Sequence, residues 1–186
     1  EIRRIVTDDM GNSSVVLNNK LKSQRSLHFL LGADYYFKIV GRPFKFTTEL
    51  YFKPMDRVVT YSVDNLKIVY SGENDAIAYT AGVDFKLFGE FVPGTDSWIS
   101  LSLMRSQEKK NGTNEWVSRP NEQRYGVSMF FQDYIPGLPK YKFHIKFVWQ
   151  DGLPFWATNV KTHTKNTTNR TTAYRRVDLG ASRRFA

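Results

Sequence analysis

The stretch Tyr141–Gln150, YKFHIKFVWQ, decides how this chain is read. Tyr141, Phe143, Ile145, Phe147 and Trp149 alternate with Lys142, His144 and Lys146. A period of two belongs to a β-strand, whose successive side chains point to opposite faces of the sheet. One face is apolar and the other cationic. In a soluble protein the aromatic face packs a core and the lysines meet water. In a membrane-spanning barrel the order inverts, with aromatics against lipid and lysines lining a wet interior.

The same alternation recurs along the chain, which predicts seven strands. Ser26 to Ile39 sets Leu27, Phe29, Leu31, Ala33, Tyr35 and Phe37 against His28, Asp34, Tyr36 and Lys38. Phe44 to Lys53, Ile77 to Val92, Trp98 to Arg105, Arg124 to Tyr134, Tyr141 to Gln150 and Thr172 to Phe185 follow the same rule. The connections alternate in length. Short turns at "GRP" (Gly41–Pro43), "PGTDS" (Pro93–Ser97) and "IPGLP" (Ile135–Pro139) are rich in Gly and Pro. Between them lie long polar stretches, Lys53 to Ala76, Ser106 to Gln123 and Asp151 to about Thr171.

Bulk properties exclude several classes. The 186 residues carry a formal charge of +9, but the cations are scattered over alternating strand positions and loops. A nucleic-acid footprint gathers them on one face or helix, so no nucleic-acid partner is expected. The chain has no cysteine, which removes disulfides and thiolate sites. No run of about 18 apolar residues exists, so a transmembrane helix is not expected. The first residue is Glu1 rather than Met, which reads as a processed or truncated polypeptide.

Strands of this length with alternating loop lengths point to a transmembrane antiparallel barrel, with short periplasmic turns and long extracellular loops. Charges on the apolar face (Arg105, Asp133, Arg175, Arg183) are expected near strand ends, where lipid tolerates them. The fold class is therefore all-β, an incomplete transmembrane barrel of about seven long strands. Seven is odd, whereas single-chain bacterial barrels are even, and open edges in lipid leave backbone groups unsatisfied. Further strands are expected to complete it. Residues 1–25 read as the end of a preceding extracellular loop, and 26–186 as the partial barrel.

Four blocks, RPFKFTTELYFK, VDNLKIVYSGENDAIAYTAGVDFKLFGEFVPGTDSWISLSLM, RPNEQRYGVSMFFQDYIPGLPKYKFHIKFVWQDGLPF and YRRVDLGAS, carry a family resemblance. In this order they resemble the carboxy-terminal part of the barrel of TonB-dependent outer-membrane receptors. The likeness is to those whose precursor has a carboxypeptidase-regulatory-like domain. It extends over almost the whole chain from about Ser26. It implies a plugged barrel of about 22 strands in a Gram-negative outer membrane. It also implies uptake of a nutrient ligand driven by the inner-membrane TonB complex. The implied partners are outer-membrane lipid, a plug domain with the remaining strands, and a surface lipoprotein. This chain contains neither plug nor TonB-contacting segment.

No nucleophile, phosphate-loop or zinc-protease motif occurs, so no enzyme, cofactor or metal site is expected. His28, His144 and His163 lie in separate segments and read as polar residues of the interior wall. Asp34, Glu49, Asp84, Glu90 and Asp178 read as wall ion-pair partners rather than a glycosidase pair. The charged interior wall is expected to include Asp84, Lys86, Lys142, Lys146, Arg176 and Asp178. Ligand contact, if it comes from the loops, is assigned to Trp116, Arg119, Phe155 and Trp156, whose aromatic rings suit a sugar or an apolar ligand. The alternatives are a passive porin-like barrel without TonB coupling, and a soluble β-sandwich binding module.

Overall fold

The computed structural model of the chain describes residues 3–7, 13–64, 67–135, 137–155, 157–158, 165–166 and 169–185. None of these residues is helical. The chain forms one nine-stranded antiparallel sheet and three separate two-stranded pairs. Seven long strands make up most of the sheet: β1 (Phe29–Ile39), β2 (Arg42–Val58), β3 (Ala76–Val92), β4 (Thr95–Lys110), β5 (Tyr125–Ile135), β6 (Leu138–Gln150) and β7 (Tyr174–Arg183). They lie side by side in chain order, each antiparallel to its neighbours. The sheet is not closed, and β1 and β7 are its edges.

The cross-strand register aligns the two periodicities into two continuous faces. Tyr35, Phe46, Leu87, Ile99, Met129, Phe147 and Val177 form one transverse row. The next residue on each strand, where its neighbours are paired, belongs to the opposite face. There Glu49, Asp84, Ser102, Gly126, Gln150 and Tyr174 form a row. Between the register shifts at Met55/Val58, Gly89/Val92 and Tyr134/Ile135 each transverse row keeps its side, because a slip of one residue would exchange the faces of a whole strand.

The apolar face is largely uncovered. Leu31 is 72% exposed, Leu50 55% and Leu179 75%. The buried apolar residues that cluster are few. Val58, Ala76 and Ala78 pack with Met55 where β2 and β3 meet the first long connection.

All three short connections lie at one end of the strands, and all three long ones at the other. Val40 and Gly41 link β1 to β2, both with positive φ, 50° and 76°. That is the type I′ geometry whose twist matches paired strands, and a β-branched valine is strained in it. Gly94 and Gly137 have positive φ at the other two turns.

The strands run further than the alternation of apolar residues predicts. The fourth was expected over Trp98 to Arg105 and extends from Thr95 to Lys110. Past Arg105 the alternation continues in polar residues. Ser106 and Glu108 are buried on one side and Gln107 and Lys109 lie on the other, while the backbone stays paired with β3. Arg105 is therefore not near a strand end, since five more residues of the strand follow it. Thr95 and Ser97, expected in the turn, are strand residues whose hydroxyls bond the Gln132 carbonyl and amide at 3.0 and 3.1 Å. The second strand likewise extends to Val58, through Pro54. Opposite Pro54 and Lys53 the ladder thins between the two-residue strand Arg25–Ser26 and β1: the Leu27 amide donates to the Pro54 carbonyl at 3.2 Å, but the proline has no N–H to return the bond. The last strand is shorter than expected, Tyr174–Arg183 rather than Thr172 to Phe185.

Candidate functional site

The polar face forms a charged wall, and all six wall residues singled out in the sequence share it. Arg176 Nε holds Asp178 Oδ1 at 2.8 Å. Lys142 lies over the Tyr134 ring at 4.7 Å, and Lys86 over Trp98 at 5.2 Å. Asp34 pairs with Lys45 at 2.9 Å and accepts the Thr47 hydroxyl at 2.8 Å. Asp84 departs from this pattern. It accepts the Ser102 hydroxyl at 2.5 Å and stands directly across from Glu49 in the register. A groove of about 380 Å³ opens there, lined by Thr47, Glu49, Asp84, Lys86, Ser100 and Ser102. His144 packs over Gly180 and beside the Phe130 ring. Among the described residues no group of side chains is placed to hold a metal ion.

At the long-loop rim the structure joins residues far apart in sequence. Arg170 is the hub. One Nη donates to the Glu122 carboxylate, and the other to Asp151 Oδ2 at 3.1 Å, the Glu122 carbonyl at 3.1 Å and the Gly152 carbonyl at 3.0 Å. Glu122 is almost fully buried, and its second oxygen accepts the Ser106 amide at 3.1 Å. Asp151 is also bound by Arg124 Nε at 2.6 Å. That guanidinium, before any other cause, holds the Asp151 carboxyl below the ordinary carboxylate range. Arg119 Nε lies 3.4 Å from the Glu108 carboxylate, and its Nη1 reaches the Met55 sulfur at 3.2 Å. Buried carboxylates of this kind are tolerated because each has a guanidinium against it.

The proposed ligand residues do not form one cluster. Trp116 packs edge-on against Tyr79 at 5.1 Å, on the apolar side of the sheet, with Lys109 over its ring. Arg119 lies on the polar side, against Glu108 and Met55. Phe155 is bound through its backbone amide to Asn169 at 3.0 Å and keeps an exposed ring. Trp156 and His163 lie outside the described residues. The hub residues Arg170, Glu122 and Asp151 were not foreseen. Their only signal in the sequence is a charge within the second or third long polar stretch, which does not distinguish them from solvated loop charges.

A recess of about 450 Å³ lies on the polar side of this rim, lined by Tyr61, Arg119, Pro120, Asn121, Gln123 and Leu153. Burial pushes the Tyr61 phenol up from its ordinary pKa, so it stays neutral. Comparison of the chain with family models, with curated proteins and with solved structures found no match.

Proposed function

We propose that these residues are part of the membrane-spanning barrel of a TonB-dependent receptor in a Gram-negative outer membrane, taking up a scarce nutrient. The observation that carries this reading is the exposed apolar face itself. It runs across seven strands of 10–17 residues, interrupted within β4 by Arg105, opposite a face that carries charges of both signs, two pairs of them in contact. A tilted strand needs about 9–11 residues to cross a bilayer, and lipid makes an uncovered apolar face favourable. Short turns at one end and long, ion-paired loops at the other suit a barrel with one rim outside the cell. Coupling to TonB, the plug and the surface lipoprotein come from the family resemblance.

Strand direction adds a constraint on how the barrel closes. Successive strands alternate in direction, so β1 and β7 run the same way. An antiparallel closure therefore takes an odd number of further strands between them. A second copy in the same orientation would bring β7 against β1 in parallel, which antiparallel barrels do not use.

Two single-tryptophan forms of the protein as its source cell makes it would test the membrane assignment in vesicles of brominated-chain lipid. Trp149 lies on the apolar face and Trp98 on the polar one. The reading expects strong quenching of Trp149 and little of Trp98; equal quenching, or recovery of the protein without detergent, would overturn it. Reconstituted vesicles then separate receptor from porin. A gated receptor leaves them tight to a small sugar, whereas a passive pore makes them swell.

A further inference from the structure

We infer that a recess on the apolar side of the long-loop rim, formed by Arg105, Gln107, Trp116 and Ser118, seats the phosphate headgroup of an anionic acyl lipid. This rests on the membrane assignment made above and not on nutrient uptake.

Height along the strand comes first. On β4 the outward series Ile99, Leu101 and Leu103 is apolar and exposed. Arg105, Gln107 and Lys109 continue the same face with polar side chains while the backbone stays paired with β3. Aromatic pairs flank this change. Tyr79 stands across from Gln107 and packs edge-on with Trp116 at 5.1 Å. Tyr125 stands across from Leu103 and packs on Trp149 at 5.4 Å. In membrane barrels a girdle of aromatic residues marks the level where acyl chains give way to headgroups. Arg105, between the two pairs, is therefore level with lipid phosphates, and Ile99, Leu101 and Leu103 are level with acyl chains.

The recess at this height is supplied with donors. Its volume is about 310 Å³, and Arg124 and Arg170 also line it. Ser118 stands opposite Gln107 in the register, so the two side chains share one face. Gln107 Oε1 accepts the Tyr79 hydroxyl at 2.7 Å, which leaves both N–H groups of its amide to give. The Ser118 hydroxyl adds another.

Charge selects the ligand. Arg124 and Arg170 are matched by Asp151 and Glu122, two against two. The exposed Arg105 guanidinium has no ion pair or hydrogen bond among the described residues. The Lys109 ammonium has no carboxylate there either and lies 6.0 Å from the Trp116 ring. Two cations are thus left over on the side that faces lipid. A guanidinium takes two phosphate oxygens at once through its planar fork. A neutral headgroup would leave both charges unmatched. A free phosphate would lack the acyl chains that cover Ile99, Leu101 and Leu103.

The test uses the full-length protein with Trp116 as its only tryptophan, in phosphatidylcholine vesicles. Brominated-chain phosphatidic acid is compared with brominated-chain phosphatidylcholine as quencher. Trp116 should be quenched by both, and the phosphatidic acid should be preferred by about tenfold. Inorganic phosphate added at constant ionic strength should leave that preference in place. Arg105→Gln should reduce it about fivefold, as the loss of one cation at a membrane surface does. Arg183→Gln removes the same charge from the apolar face at the short-turn rim and should leave it unchanged. Ser118→Asp, which keeps every cation but puts a carboxylate into the recess, should abolish it. Variants are compared only where quenching by the neutral brominated lipid matches the parent, which shows that they are inserted. Equal quenching by the two lipids, loss of the preference to inorganic phosphate, or equal effects of Arg105→Gln and Arg183→Gln would overturn the inference. Any of these with Trp149 still strongly quenched would leave the receptor reading standing. Absence of Trp149 quenching in the parent protein would remove that reading, and this inference with it.

Discussion

Arg170 shows how much one rim side chain holds together. Glu122 beneath it is 2% exposed, so Arg170→Met leaves a buried carboxylate without its cation. Losses of this kind cost about 3–5 kcal/mol, and the urea midpoint of the folded protein in detergent should fall accordingly. Arg170→Lys should recover only part, because an ammonium cannot reproduce the fork that reaches four acceptors. Asp151 adds a pH dependence whose sign follows from its lowered pKa. The unfolded chain binds that proton more tightly, at about pH 3.9, so the stabilisation is complete above about pH 5 and is lost as pH falls through the lower folded value. Asp151→Asn should therefore flatten the acid limb of a urea-midpoint-against-pH profile while lowering its neutral plateau. At the opposite rim, Val40 sits at φ 50°. Val40→Asn, which tolerates that region, should raise the midpoint by the equivalent of about 1 kcal/mol. The turn was legible in the sequence from its Gly and Pro; the ion-paired hub was not. Glu122 and Arg170 are 48 residues apart, and nothing local to either marks the other.

At the scale of the element, strand identity was legible because alternation is a property of the extended backbone itself. Strand length was not, because pairing is made by the backbone and continues under polar side chains such as Ser106 and Glu108. Close cross-strand packing is a second feature hidden from the sequence. Gly82 faces Tyr51 across the β2–β3 pair, and a Cβ at Gly82 would meet the tyrosine ring and the Leu103 carbonyl at 2.5 Å. The carbonyl belongs to a paired strand and cannot move aside. Gly82→Ala should lower the unfolding free energy by about 1–3 kcal/mol, as overpacking does, and Tyr51→Ala combined with it should recover only part of that loss. Differential denaturation of the single and double variants checks this.

For the whole molecule, the two faces make opposite predictions for one kind of substitution. Leu50→Arg places a charge on the apolar face and Thr47→Arg places it on the polar one. In lipid vesicles the first should cost about 2–4 kcal/mol and the second close to nothing, measured by equilibrium unfolding from the bilayer. Equal costs would mean that the apolar face does not meet lipid. The faces, the seven strands and the alternation of short and long connections could all be read from residue order, because each depends on neighbours within a few positions. The assembly of the rim could not. Trp116 and Arg119 are three residues apart, yet the first turns to Tyr79 on the apolar side and the second to Glu108 on the polar side. The recess of Tyr61, Asn121, Gln123 and Leu153 draws on three connections that meet only after the strands between them have paired. Local geometry sets which way a side chain points along a strand, whereas a site built from separate loops exists only once the long-range pairing has brought them together.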